Sequence, residues 1–168
     1  MDNKTAKEQT TQIIKQIIKS WKAQNKVITE FFTKYEDSFY FNEVAPERNR
    51  AIYIFGHLIG MNDMLFPMLE LGEKLFPQLE SLFVSGADKS VADIPTITTL
   101  REYWGTLNQT LGHHFNELSI DEWFQRHTKV SEEDFAMDPL RNKLNVFIGR
   151  INHLSYHSGQ LALLNPRS

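Results

Sequence analysis

The sequence predicts an all-α protein: a four-helix bundle with long crossover connections and short additional helices. Apolar residues recur at steps of three and four over four long stretches, and no segment sustains the strict alternation of a strand. Capping signatures punctuate the stretches where helices should begin. The chain has 168 residues, 41% of them hydrophobic, which suits one domain (1–168) with a sizeable core.

The first helix is expected over residues 4–36. Ile13, Ile14, Ile17, Ile18, Trp21, Ile28, Phe31, Phe32 and Tyr35 form one wide apolar stripe along it. Pro46 and Glu47 suit the first turn of a second helix, which runs through His57 toward a break at Pro67. A shorter helical stretch, MLELGEKLFPQLESLF, follows, and SGADKSVADIPTI (85–97) reads as a loop. Thr99 and Glu102 have capping-box spacing at the start of a third long helix, whose stripe is Leu100, Trp104, Leu107, Leu111, Phe115 and Leu118. Ser119 and Glu122 repeat that signature before a helical turn at DEWFQRH. Asp138 as cap and Pro139 as first turn open the fourth long helix, with Asn165 and Pro166 as its stop signal. The connections near 67–98 and 119–138 are too long for tight hairpins, so at least one crossover is expected.

Composition excludes several function classes. The net charge is −3 with Lys and Arg dispersed, not the clustered basic face of a nucleic-acid binder. With no cysteine there are no disulfides, no thiolate metal ligands and no cysteine nucleophile. The opening MDNKTAKEQTTQ is polar and lacks the apolar run of a secretory signal. The most apolar segment, 51–69, is interrupted by His57, Asn62, Asp63 and Pro67, so it reads as a buried helix. A soluble cytoplasmic protein without membrane or nucleic-acid partners is the expectation.

Chemistry concentrates in the histidines. NHLSYHSGQLALL (152–164) carries His153 and His157 four residues apart, on one helix face with Cβ atoms about 5–6 Å apart, where two imidazoles can converge on an ion. A hydrogen-bonded histidine pair is the plain alternative. His57 lies in the apolar run IYIFGHLIG, where an imidazole is costly unless both nitrogens find partners. A bundle can bring it opposite the 153/157 face, and Gly56 and Gly60 beside it leave room for a ligand or a close helix approach. His113 and His114 are adjacent and point about 100° apart, so they read as structural or solvated, as does His127 in its polar turn.

The GHL of the second helix and the closing RINHLSYHSGQLALL resemble the DinB/YfiT-like family of metalloenzymes. The tryptophan-bearing first helix, PERNRAIYIFGHLIGMND and DPLRNKLNVFIGRINHLSYHSGQ extend the resemblance over nearly the whole chain. The family pattern of one histidine, a later H-x-x-x-H and a following G-Q stands here as His57, His153, His157, Gly159 and Gln160. The resemblance implies a bundle holding a divalent ion, zinc or nickel, on His57, His153 and His157. It also implies thiol-dependent transferase or isomerase chemistry with a low-molecular-weight thiol, and a homodimer.

Three neutral imidazoles would leave an ion its full charge and an open position, the layout of a catalytic rather than a structural site. Such an ion activates water or a thiol, and a chain without cysteine would receive the thiol from a small-molecule cosubstrate. Leu154 stands where H-E-x-x-H peptidases place their glutamate, which argues against that chemistry. Gln160 is a candidate to orient a ligand imidazole. Arg150 is a candidate to hold a substrate carboxylate, with an ion pair to a neighbouring helix as the favoured role. Tyr53 is a candidate to bring its hydroxyl near the ion, with core packing favoured. The leading function is a metal-dependent small-molecule transferase or hydrolase. The alternatives are a non-catalytic, metal-stabilised ligand-binding or stress-response protein, and a helical interaction module with structural histidines.

Overall fold

A computed structural model describes residues 3–164, and these are all-helical. Four long helices make the bundle: α1 (Asn3–Lys34), α2 (Ala51–Asp63), α5 (Ile97–Glu117) and α8 (Lys143–Ala162). Between them lie α3 (Leu65–Met68), α4 (Leu79–Phe83), α6 (Ile120–Trp123), α7 (Glu132–Met137) and a 3-10 turn at Asp37–Phe41. No helix among the described residues is long and apolar enough to cross a membrane.

Packing of the stripes fixes the topology. Trp104 Nε1 donates to Thr29 Oγ1 at 2.9 Å while Gly112 lies on Trp21, so α5 runs antiparallel to α1. Trp21 meets Phe147, and Phe31 shares a crevice with Leu161, so α8 runs parallel to α1. Phe55 meets Trp104, and Phe66, just beyond α2, meets His114, so α2 runs parallel to α5. The order is up, down, down, up. The long segment between α2 and α5 is therefore the expected crossover, since parallel neighbours cannot be joined by a tight turn. Trp21, Phe115, Trp123 and Phe147 fill one part of the core, and Phe31, Phe32, Tyr40 and Phe55 another.

Three helix starts differ from the sequence reading, each for a local reason. Pro46 and Glu47 form a turn closed by Arg48 N–H to Ala45 O at 3.0 Å, with Glu47 at a φ of 62°, and α2 begins only at Ala51. Proline suits the second position of such a turn as well as it suits a first helical turn. Asp88 takes over the N-terminus of α2, accepting from Arg50 N–H at 2.7 Å and from the Arg50 guanidinium at 2.7 and 3.0 Å. Thr96 caps α5, three residues before the expected Thr99, whose N–H it accepts at 3.1 Å. Asn142 caps α8 through Asn145 N–H at 2.9 Å. Asp138 instead accepts from Leu140 N–H at 3.1 Å in the turn after α7. The capping box at Ser119 and Glu122 stands as expected, and α2 ends at Asp63, ahead of Pro67. The stop signal Asn165–Pro166 lies outside the described residues.

Candidate metal centre

The antiparallel pair α2 and α8 brings His57, His153 and His157 together, with one ring nitrogen of each within 4.8 Å of the others. His57 Nε2 lies 3.2 Å from His153 Nε2, and His157 Nε2 lies 3.1 Å from the same atom. Nitrogens bound to one ion at about 2.0–2.1 Å and near-tetrahedral angles stand about 3.3 Å apart. The cluster is therefore of a size to take a divalent ion.

The other face of each ring decides what the cluster offers. His57 Nδ1 is 2.8 Å from the Phe83 carbonyl, which only accepts, so the proton sits on Nδ1 and the Nε2 lone pair points inward. Glycine makes that contact available: a Cβ at Gly56 would stand 2.5 Å from the Phe83 ring, so only glycine lets α4 press onto α2 and present its carbonyl. His157 Nδ1 is 2.8 Å from Gln160 Oε1, while Gln160 Nε2 donates to Tyr156 Oη at 3.0 Å. With the amide so oriented, His157 also turns a lone pair inward. His153 Nδ1 is buried and has no partner among the described residues. A neutral His153 can place one N–H between its neighbours and serve only one of them well, leaving its own Nδ1 unpaired. A cation at the centre satisfies all three Nε2 lone pairs together.

Burial keeps the rings neutral. It lowers the pKa of His57 against the Phe83 hydrogen bond, and of His157 against the Gln160 bond. His153 falls to about 3, through burial first and then the charges of His157, Arg150 and His57. Neutral imidazole is the form that binds metal.

The remaining candidates are placed as follows. Gln160 meets His157. The Tyr53 hydroxyl, by contrast, donates to the Gly86 carbonyl at 2.6 Å, away from the histidines, and its ring lies parallel to His57 with centroids 6.3 Å apart. Arg150, one turn before His153, makes no ion pair with any described residue, which corrects the favoured expectation of a partner on a neighbouring helix. His113 is exposed and His114 stands edge-on to Phe66. His127 Nδ1 accepts from Lys129 N–H at 3.3 Å. None of these three joins the cluster. The Phe83 carbonyl and Tyr156 escaped the sequence reading. Tyr156 stands four residues before Gln160, a spacing that could have shown the contact, whereas a main-chain carbonyl leaves no side-chain signal.

A cavity of about 590 Å³ lies between α1 and α5 over Phe32, Phe55 and Trp104, and none of the three histidines lines it. No protein-family profile matches the chain, and no curated protein matches it. Among solved structures, it is similar to a conserved protein from Enterococcus faecalis. The TM-score is 0.64 at 11% identity, over 89% of this chain and 93% of that one. At that identity the two share a fold.

Proposed function

We propose that the chain is a DinB/YfiT-like metalloenzyme that holds one divalent ion, zinc or nickel, on the Nε2 atoms of His57, His153 and His157. It acts on a small molecule, either as a transferase with a low-molecular-weight thiol or as a hydrolase. One observation carries the reading: two rings pinned through Nδ1, by the Phe83 carbonyl and Gln160, direct their lone pairs toward the Nε2 of the third.

When bound, the ion supplies Lewis acidity to a ligated water or thiol. The chain supplies the rest. Phe83 and Gln160 fix the tautomers and aim the rings, and ligand orientation of this kind usually changes metal affinity by about 10–100-fold. No described carboxylate hydrogen-bonds to the three imidazoles, so the protein offers no separate general base beside them. A cytoplasmic homodimer belongs to the same proposal, and sedimentation analysis checks the dimer.

Metal analysis of the purified chain beside His153→Ala tests the reading. About one equivalent in the first and a small fraction in the second is expected; equal, negligible metal in both ends it. Turnover of electrophiles with and without bacillithiol, mycothiol or glutathione then separates transferase from hydrolase. The second reading, a metal-stabilised protein that binds a ligand without transforming it, draws on the placement of the 590 Å³ cavity away from the histidines. An apolar ligand that co-purifies unchanged would favour it.

A further inference from the structure

Arg150 is buried, at 8% exposure, yet no carboxylate, carbonyl or hydroxyl among the described residues accepts from its guanidinium. Its Nε is fully enclosed and unpartnered among the described residues, whereas its terminal nitrogens, equally without a described acceptor, are not enclosed. The half-buried Arg50 shows what the fold does elsewhere: Asp88 holds it through two of its guanidinium nitrogens. A buried arginine normally has such a partner, because burying a charge without one is strongly unfavourable. Arg150 sits one helical turn before His153, about 5–6 Å between Cβ atoms, and its charge reaches both His153 and His57.

We infer that Arg150 is the anion-recognition residue of the histidine site, and that the natural substrate carries a carboxylate in addition to the group that meets the ion. The inference rests on the metal reading above. The local charge leads to the same ligand: three neutral imidazoles, a divalent ion and an unpaired guanidinium leave an uncompensated positive region. The guanidinium fork matches a carboxylate with two parallel hydrogen bonds, a geometry that an ammonium cannot reproduce.

Full-length protein loaded with cobalt, whose visible spectrum reports ligand exchange, provides the test. Succinic and glutaric monohydroxamates are titrated beside butyro- and valerohydroxamate. Each pair shares its metal-binding head and differs only in ending in a carboxylate or a methyl group. At least one carboxylate member should bind about tenfold more tightly, a difference of about 1.4 kcal/mol. In Arg150→Gln that preference should vanish while the methyl-ended hydroxamates keep their affinity within about twofold; Arg150→Lys should recover part of it. The comparison within the wild-type protein stands even if Arg150→Gln does not fold. Cobalt uptake with equal affinity for the members of both pairs overturns the inference alone. Failure to take up cobalt at the histidines overturns the metal reading, and this inference with it.

Discussion

Helix α2 carries a half-buried imidazole, His57, and a buried carboxyl, Asp63, and the fold treats them in opposite ways. Asp63, 1% exposed, has both oxygens engaged: Oδ1 accepts from Leu75 N–H at 2.8 Å and Oδ2 from Phe76 N–H at 2.9 Å. Burial pushes its carboxyl up despite those two bonds, yet each oxygen has a protein partner. His57 has one nitrogen bound to the Phe83 carbonyl and the other turned toward His153. Arg50 and Arg150 repeat the contrast, one paired with Asp88 and the other unpaired. Asp63 and Arg50, which tie α2 to the segments around it, are saturated by protein partners. At the histidine site, valences remain open.

Two substitutions on α2 should separate these roles. His57→Ala removes one of three ligands, and dividing a typical structural-zinc binding energy among its ligands suggests a loss of about 3–4 kcal/mol in metal affinity, roughly several hundredfold. Metal-free stability by urea denaturation should change by less than about 1 kcal/mol. Asp63→Ala should do the reverse. It leaves the Leu75 and Phe76 N–H groups without an acceptor, which should lower stability by about 2–5 kcal/mol. The metal stoichiometry of the folded fraction should hold. Equal losses of metal in both variants would show that the histidine cluster has no role of its own.

Gly56→Ala tests whether fold and site meet at α4. The added methyl collides with the Phe83 ring, so overpacking should cost about 1–3 kcal/mol. The shift of α4 should also withdraw the Phe83 carbonyl from His57. Stability and metal affinity should then fall together, unlike in the previous pair. Gln160→Leu keeps the bulk and removes the acceptor from His157. Metal affinity should drop at least about tenfold, with little change in unfolding. Tyr156→Phe, one bond further out, should lose only a few-fold.

The sequence carried the bundle because long stripes such as Ile14–Ile18–Trp21–Ile28–Phe32 allow few other burial solutions. Helix starts were less legible, since Pro46 and Asp138 are equally at home in turns, and the choice depends on partners such as Asp88 and Asn142 that lie elsewhere in chain or space. His153 and His157 were readable from spacing within one helix. Bringing His57 to them, 96 residues away in sequence, required the crossover. The state of Arg150 could not be read at all, because lacking a partner is a property of every element around it.

The last expected effect is on acid stability, and its sign follows from the histidines. All three have folded pKa values below that of a free imidazole, chiefly through burial. Below about pH 6.5 the unfolded chain therefore takes up protons that the folded, metal-free chain resists. Their contribution is neutral above that pH, and stability declines as pH falls toward the lowered folded values. Thermal unfolding of the metal-free protein should give a flat Tm between pH 7 and 8 and a falling one below 6.5; His153→Ala should flatten part of the fall. Asp88 adds its own loss only in stronger acid. Burial opposes its ionisation, but the Arg50 contacts outweigh burial and hold its carboxyl below the usual value of 3.8. Arg50→Gln should thus alter the profile below about pH 4 and leave the range near 6 to the histidines. If the decline near pH 6 persisted undiminished in a variant lacking all three imidazoles, the contrast between open and saturated groups would lose its electrostatic basis.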